Sequence, residues 1–122
     1  MPKDLASLQS VVLAALDDLK AVDVKVLDVS RLTTITSVMV VATGTSNRHV
    51  RALADAAREA AKGAGFTVLG VEGDSDAEWM LVDLVDVVVH VMSPQTRELY
   101  RLEDLWSALP RRPKAEQVGD SA

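Results

Sequence analysis

Two carboxylates, Asp83 and Asp86, interrupt the hydrophobic stretch EWMLVDLVDVVVHVM and are the first residues that could do chemistry. Carboxylate oxygens suit a divalent cation such as Mg²⁺, although carboxylates this close across a turn are common and do not specify a metal site. The two histidines, His49 and His90, have no spacing typical of a shared metal site, and the chain has no cysteine. We therefore predict neither a metal nor a cofactor.

A second candidate for chemistry is Gly44-Thr45-Ser46, which precedes a helical pattern. Amides at the start of a helix can hold phosphate, but neither G-x-x-x-x-G-K-S/T nor G-x-G-x-x-G is present. Thr45 or Ser46 can cap the helix instead, and His49 follows Ser46 by one helical turn, which favours capping over nucleophilic catalysis. Because no nucleophile, base and orienting group come together, we predict that the protein is not an enzyme.

The charges are distributed unevenly along a chain of net charge −5. No Lys or Arg lies between Lys62 and Arg97, whereas that stretch carries Glu72, Asp74, Asp76, Glu78, Asp83 and Asp86. Phosphate binding depends on Lys and Arg, so this stretch would repel nucleic acid and attract a basic protein. On charge alone, acidic loops that only keep the protein soluble explain the pattern as well.

A length of 122 residues fits one domain, and 48% hydrophobic residues are enough for a core. No apolar stretch approaches the roughly 20 residues of a membrane helix. The N-terminus, MPKDLASLQS, lacks the continuous apolar run of a signal peptide. These features predict a cytoplasmic protein with no membrane partner.

Hydrophobic periodicity predicts elements in the order α-β-β-α-β-β-β-α. A helix is predicted from about residue 4 to 21, strands at 24–29 and 38–42, a helix over 46–62 and a strand at 66–71. Two hairpin strands follow, and Ser93-Pro94 begins a last helix that reaches Trp106. The unit over residues 38–71 predicts a parallel strand pair with a right-handed crossover.

The expected fold is α/β, a mixed five-stranded sheet with flanking helices. Residues 1–109 are expected to form the domain. Residues 110–122 have no hydrophobic pattern and are expected to be a disordered tail.

The hairpin places its side chains on two faces, because neighbouring residues of a strand point to opposite sides. With Leu84-Val85 as a two-residue turn, Asp83 would face Asp86 and Trp79 would face His90. One face is wholly apolar: Met80, Val82, Val87, Val89 and Val91. The other, which we call the hairpin face, is mixed: Trp79, Leu81, Asp83, Asp86, Val88, His90 and Met92.

An aromatic anchor bordered by charge is typical of a protein-binding patch, which favours a surface role for the hairpin face. The alternative is that a helix covers this face and buries His90 with a hydrogen bond. Val85 conflicts with the tight turn, since such turns favour Gly or Asn at positive φ. A wider turn would shift the register.

Three blocks of sequence resemble the ribosomal silencing factor family, RsfS or Iojap-related proteins: ATGTSNRHVRALAD at 42–55, GVEGDSDAEWMLVDLVDVVVHVM at 70–92 and RELYRLEDLW at 97–106. The resemblance covers about residues 5–107. It implies a mixed α/β domain related in fold to nucleotidyltransferases but without their catalysis. It also implies binding to the large ribosomal subunit through the large-subunit protein numbered fourteen, which blocks joining of the small subunit and represses translation when nutrients are short.

Carried over by position, the family's partner-binding residues are Trp79, Asp83, His90, Met92, Glu98 and Tyr100. The implied partner is a ribosomal protein with little direct RNA contact, and the same surface could pair two free copies of the chain. The sequence departs from the family at Val85, where Gly is usual, and at Ser37, where Asp is usual. The first departure lies in the turn between the two hairpin strands, and the second replaces an acid before the second strand.

Two alternative functions remain open from the sequence. An assembly factor for immature large subunits, as linked to chloroplast and mitochondrial relatives, would use the same surface. A residual nucleotidyltransferase-like enzyme would use Asp83 and Asp86 for Mg²⁺ and Gly44 to Ser46 for phosphate.

Overall fold

The computed structural model describes residues 4–31, 33–34, 36–73 and 75–100, with only the backbone described at Tyr100. The elements are α1 (Leu5–Asp18), β1 (Val22–Asp28), β2 (Val38–Thr43), α2 (Asn47–Gly63), β3 (Gly70–Gly73), β4 (Trp79–Asp83), β5 (Val87–Met92) and α3 (Pro94–Tyr100). Their order is the predicted one. The continuation of the last helix to Trp106 and the expected tail at 110–122 lie outside the described residues.

The sheet has five strands in the order β1-β2-β5-β4-β3. Only β2 and β5 are parallel; β1 with β2, β5 with β4 and β4 with β3 are antiparallel. The predicted mixed five-stranded sheet is therefore confirmed. The predicted pairing of the second and third strands is wrong, because β5 and β4 lie between them.

The strand β2 lies next to the central strand of the sheet, β5. Every residue of β2 is buried, which is the pattern of a strand covered on both faces. This explains why VMVVAT reads as a continuous apolar run rather than an alternating one. The more polar β3, with two glycines and a glutamate, is left at the edge.

The first helix ends earlier than periodicity predicts. At its start, the Asp4 carboxylate accepts a hydrogen bond of 2.8 Å from the Ser7 amide, and this bond holds the pKa of Asp4 below its usual value. At its end, Lys20 takes a left-handed conformation with φ of 64°. The chain then folds back so that the Ala21 amide donates to the Leu16 carbonyl at 3.0 Å. The residues predicted as the last turn of the helix, 19–21, therefore form its C-terminal cap instead.

Of the two predicted candidates, Thr45 and Ser46, it is Ser46 that caps α2. Its Oγ accepts a hydrogen bond of 3.1 Å from the His49 amide. Gly44 is required just before the cap, since a Cβ there would lie 2.8 Å from Val50 Cγ2. The helix packs against α1 and covers the hairpin from one side.

The predicted strand at 66–71 begins later than expected because its first residue is used to end α2. Gly65 adopts a φ of 92°, and the Phe66 amide donates to the Ala61 carbonyl at 2.9 Å. Phe66 and Val68 pack against the core from an irregular segment, and β3 starts only at Gly70.

The main core lies between the sheet and the pair α1 and α2. It contains all five residues of the predicted apolar face of the hairpin: Met80, Val82, Val87, Val89 and Val91. That prediction is confirmed. In the described part of the chain, no helix is long and apolar enough to cross a membrane.

The predicted hairpin register is wrong by one residue at the turn. Leu84 faces Val87, with the Leu84 amide donating to the Val87 carbonyl at 2.9 Å, so the turn residues are Val85 and Asp86. Asp83 consequently pairs with Val88, and Trp79 pairs with Met92.

The turn holds Val85 in an unfavourable conformation. Its φ is 74°, and the Asp86 amide donates across it to the Leu84 carbonyl at 2.9 Å, which defines a γ-turn. A β-branched residue at positive φ is strained. The Asp83 carboxylate stabilises the turn by accepting the Val85 amide at 3.0 Å.

Replacing Val85 by glycine is expected to raise the free energy of unfolding by about 1 kcal/mol. Relief of a strained φ is worth about 1–3 kcal/mol, and the greater freedom of glycine in the unfolded chain removes about 0.4–1 kcal/mol of that gain. Urea denaturation would measure the change. Val85→Ala, which keeps the Cβ, is the control and should show no comparable gain. Equal stabilisation by both variants would mean that the gain comes from removing the exposed valine side chain and not from relief of the strained φ.

Candidate partner-binding surface

The hairpin face lies on the side of the sheet away from α1 and α2. The residues on the opposite side of the hairpin are packed against these helices, so strand alternation turns Trp79, Leu81 and Asp83 outward. A second, smaller cluster forms on this side from Val29, Met39, Val41 and Met92, with Leu27 and Trp79 packed against it. The end of the hairpin face that carries Met92 is therefore buried in this second cluster.

Trp79 lies half-buried at the border of this cluster. Its indole Nε1 donates a hydrogen bond of 2.9 Å to His90 Nδ1. The two rings are tilted by 54°, with their centroids 5.9 Å apart. Trp79 and His90 are in contact, as predicted. The contact is diagonal across the two strands, because Trp79 pairs directly with Met92.

His90 and Met92 are buried, which corrects the expectation that the hairpin face exposes both side chains. His90 is 8% exposed and Met92 is fully buried. The physical reason is that the second cluster and α3 cover this end of the face. Both residues hold Trp79 in place: His90 accepts its indole hydrogen bond, and Met92 belongs to the cluster on which Trp79 packs.

Burial controls the charge of His90. Removal from water lowers its pKa to about 4, because the protonated ring is poorly solvated in the interior. Since Nδ1 accepts the indole proton, the neutral ring must carry its own proton on Nε2. The sequence reading that preferred an exposed histidine was therefore wrong, and the alternative of a buried, hydrogen-bonded one is the observed case.

Helix α3 begins with the predicted cap. Ser93 Oγ accepts a hydrogen bond of 3.2 Å from the Thr96 amide. It also donates to Glu78 Oε1 at 2.6 Å, and the Ser93 amide donates to the Glu78 carbonyl at 2.9 Å. Glu78 immediately precedes Trp79, so the start of α3 is fastened to the strand that carries the aromatic side chain.

Arg97 anchors α3 to the sheet, a role that no sequence pattern indicated. It is 6% exposed, and its Nη1 donates a hydrogen bond of 2.7 Å to Thr43 Oγ1. Its Nη2 lies 3.6 Å from a carboxylate oxygen of Asp23. A buried guanidinium needs such partners to offset its desolvation. The position of Glu98, which is exposed on the same helix, depends on this anchor.

The remaining predicted residues have different surroundings. Asp83 is half-buried, and one carboxylate oxygen is occupied by the turn amide of Val85. Asp86 is exposed in the turn, and its backbone carbonyl accepts the amides of Ser37 and Val38 at 3.1 and 3.0 Å. The side chain of Tyr100 lies outside the described residues. Ser37, a departure from the family, contributes here through its backbone.

The segment Gly44 to Ser46 has its polar groups engaged within the chain. The Thr45 amide donates to His49 Nδ1 at 2.8 Å, and Ser46 Oγ serves as the helix cap. His49 Nε2 lies 2.7 Å from the Leu19 carbonyl at the end of α1. These contacts give the segment a structural role: His49 joins the end of α1 to the start of α2. Among the described residues, no group of three or more acidic or histidine side chains could hold a metal ion.

Sequence reasoning missed a groove beside Trp79. It is a cavity of about 250 Å³ lined by Glu72, Gly73, Trp79 and Leu81. Glu72 pairs with Leu81 across β3 and β4, which places both beside the anchor. The alternation of β4 indicated Leu81. Glu72 was included in the acidic stretch, but no periodic pattern placed it beside Trp79, because β3 is too short and too rich in glycine.

The stability of the protein is expected to fall as the pH drops from about 6.5 to 4. The unfolded chain binds a proton at His90 below its ordinary pKa of 6.5, whereas the folded chain does so only below about 4. The stability contributed by neutral His90 is therefore present above pH 6.5 and is lost towards pH 4, by at most about 3 kcal/mol.

Urea denaturation at a series of pH values would measure this loss. His90→Gln is the matched variant, because its amide oxygen can accept the indole hydrogen bond without titrating. The wild type should lose more stability than the variant between pH 7 and pH 4.5. Parallel losses in both proteins would contradict the burial of a neutral His90.

Comparison with known proteins identifies relatives over nearly the whole chain. The family described as ribosomal silencing factor during starvation matches residues 2–122. A protein named ribosomal silencing factor RsfS from Chromobacterium violaceum is 45% identical over 103 residues, which is 84% of this chain and 84% of that protein. A crystal structure of a protein from the same species is 44% identical, has a TM-score of 0.83, and aligns over 85% of this chain and 87% of that one.

A more distant relative carries a different name. Mitochondrial assembly of ribosomal large subunit protein 1 from Mus musculus is 33% identical over 88 residues, which is 70% of this chain and 39% of that protein. The family match extends across every described element. This chain belongs to the family of ribosomal silencing factors.

Proposed function

We propose that this chain represses translation by binding the large ribosomal subunit and sterically blocking the joining of the small subunit, especially when nutrients are limiting. The contact on the large subunit is its protein numbered fourteen. The family to which the chain belongs is described by silencing of ribosomes during starvation, which supports the proposal. The structural observation that carries it is Trp79, a large aromatic side chain that is held rigidly yet remains half-exposed.

Trp79 has the properties of a binding anchor. Its ring is oriented by the hydrogen bond to His90 and by packing on the second cluster, so little side-chain entropy is lost when a partner binds. Aromatic residues held in this way carry much of the free energy of protein interfaces. Asp83, Glu98 and Tyr100 are proposed to complete the surface, and His90 and Met92 to support it from below.

The acidic surroundings favour a basic ribosomal protein over RNA as the direct partner. Glu72 and Asp76 are exposed and lie close to Trp79 in the sequence, in a stretch without Lys or Arg. Phosphates would be repelled there, whereas Lys and Arg of a protein would be attracted. Occupying the docking site of the small subunit requires no catalysis, so the proposed function is not enzymatic.

A role in assembly of the large subunit is the second candidate. It is favoured by the name of the mouse relative, which refers to assembly of the mitochondrial large subunit. An assembly factor would use the same surface on an immature particle. The two functions therefore differ in which particle is bound and in whether mature subunits are prevented from joining.

Sedimentation of the purified protein with separated large and small subunits tests the proposal. The wild type should migrate with the large subunit alone, and it should reduce the fraction of joined ribosomes when both subunits are present. Trp79→Ala should weaken binding by roughly thirtyfold, since truncating a central aromatic anchor costs about 2 kcal/mol or more.

Val82→Ala is the matched control, because Val82 is fully buried in the same strand but faces α1 and α2. Both variants should lose stability, and circular dichroism would verify that both are folded at the assay temperature. Binding by Trp79→Ala equal to that of Val82→Ala would move the interface away from Trp79. Binding only to immature particles would favour assembly, and binding of the wild type to neither subunit would reject both functions.

A further inference from the structure

The outer side of β3 is one of the two edges of the sheet. β3 is the last strand in the order, and no strand in the described ranges pairs with its outer side. The side chains along it are exposed, with Leu69 at 64% and Val71 at 36%. An unpaired edge presents amides and carbonyls that another chain can bind as an added strand.

The opposite edge, β1, is protected against such an addition. Its register is interrupted by an irregularity between Val22 and Lys25, and Asp23 within it takes a left-handed φ of 51°. Asp23 also contacts Lys25 at 3.8 Å and Arg97 at 3.6 Å. Bulges and charges of this kind are how proteins prevent edge pairing. The register of β3 with β4 has no such irregularity, and the one charged residue of β3 is Glu72.

The groove beside Trp79 runs along the accessible edge. Glu72 and Gly73 of β3 line it on one side, and Trp79 and Leu81 of β4 line it on the other. Gly73 packs closely against β4, because a Cβ there would displace the Met80 side chain. In a strand added next to β3, alternate side chains would point towards this groove and the others would lie beside Val71.

The charge of the edge indicates the chemistry of the added strand. Glu72 and Asp76 are exposed, and among the described residues neither makes an ion pair or a side-chain hydrogen bond. Arg51 reaches the loop that follows β3, where its guanidinium donates a hydrogen bond of 3.1 Å to the Ser75 carbonyl. A segment with Lys or Arg at alternate positions would pair with Glu72 while its backbone bonds to β3.

We propose that the outer edge of β3 binds an extended, basic segment of the ribosomal protein as an added strand, with Glu72 selecting a Lys or Arg and Trp79 covering the neighbouring residue. This rests on the proposed function, since it specifies how the partner is held at the same site. Backbone pairing supplies affinity that tolerates sequence variation, and the groove supplies selectivity.

Charge reversal tests the role of Glu72. Glu72→Arg should weaken binding to the large subunit by roughly tenfold or more, because like charges would face each other across the interface. Glu59→Arg is the matched control: it is the same change on an exposed acid of α2, in the opposite layer, and should bind as the wild type does. Both sites are exposed, so the fold should be unaffected. Binding of Glu72→Arg equal to that of the control would overturn the proposal.

Amide hydrogen exchange tests the strand pairing itself. In the wild-type complex with the large subunit, exchange at residues 69–73 should slow by roughly tenfold or more relative to the free protein, while exchange in β1 should stay unchanged. A formed complex without protection of residues 69–73 would overturn the added strand and leave the proposed function intact, even if Glu72→Arg binds weakly. Failure of the wild type to bind the large subunit would instead reject the proposed function.

Discussion

The parallel pairing of β2 with β5 is the contact on which most of the architecture depends. Parallel neighbours cannot be joined by a tight turn, so the chain between them must leave the sheet and return. It does so through α2, and β3 and β4 are then added on the far side of β5. Because β2 is buried on both faces, the sheet must be covered on both sides. The pair α1 and α2 covers one side, and α3 with the second cluster covers part of the other.

Partial covering of the second side creates the candidate surface. Near Met92 the side chains are enclosed, and towards Glu72 they are exposed. Trp79 lies at the boundary, with one side packed on Met92 and its cluster and the other available to a partner. The buried His90 gives the indole nitrogen an acceptor that is neutral at physiological pH, which lets the polar end of Trp79 be satisfied while its ring stays at the surface. Rigidity of this kind lowers the entropic cost of binding.

The site was predictable from the sequence to the extent that it follows from strand alternation. Placing the hairpin turn one residue too early moved every partner by two positions, so Trp79 was paired with His90 instead of Met92. A shift of two preserves the face on which each side chain lies, and the division into an apolar face and a mixed face was therefore correct. The exact turn could not be predicted, because Val85 adopts a φ that its side chain disfavours and only the surrounding contacts impose. Burial of His90 was missed for a related reason: it depends on tertiary packing around the hairpin face, which strand alternation does not specify.

Local chemistry in the sequence determined the helix caps at Ser46 and Ser93, the hydrophobic faces, the mixed sheet and membership of the silencing factor family, since each of these follows from residues close together or from their order. The tertiary structure alone decided which strands are neighbours, which side of the hairpin is covered and which edge is left accessible. These depend on contacts between distant segments, such as Asp86 with the start of β2, Arg97 with Asp23, and Glu72 with Leu81. A periodic pattern specifies the face of a strand, but it carries no information about what packs against that face.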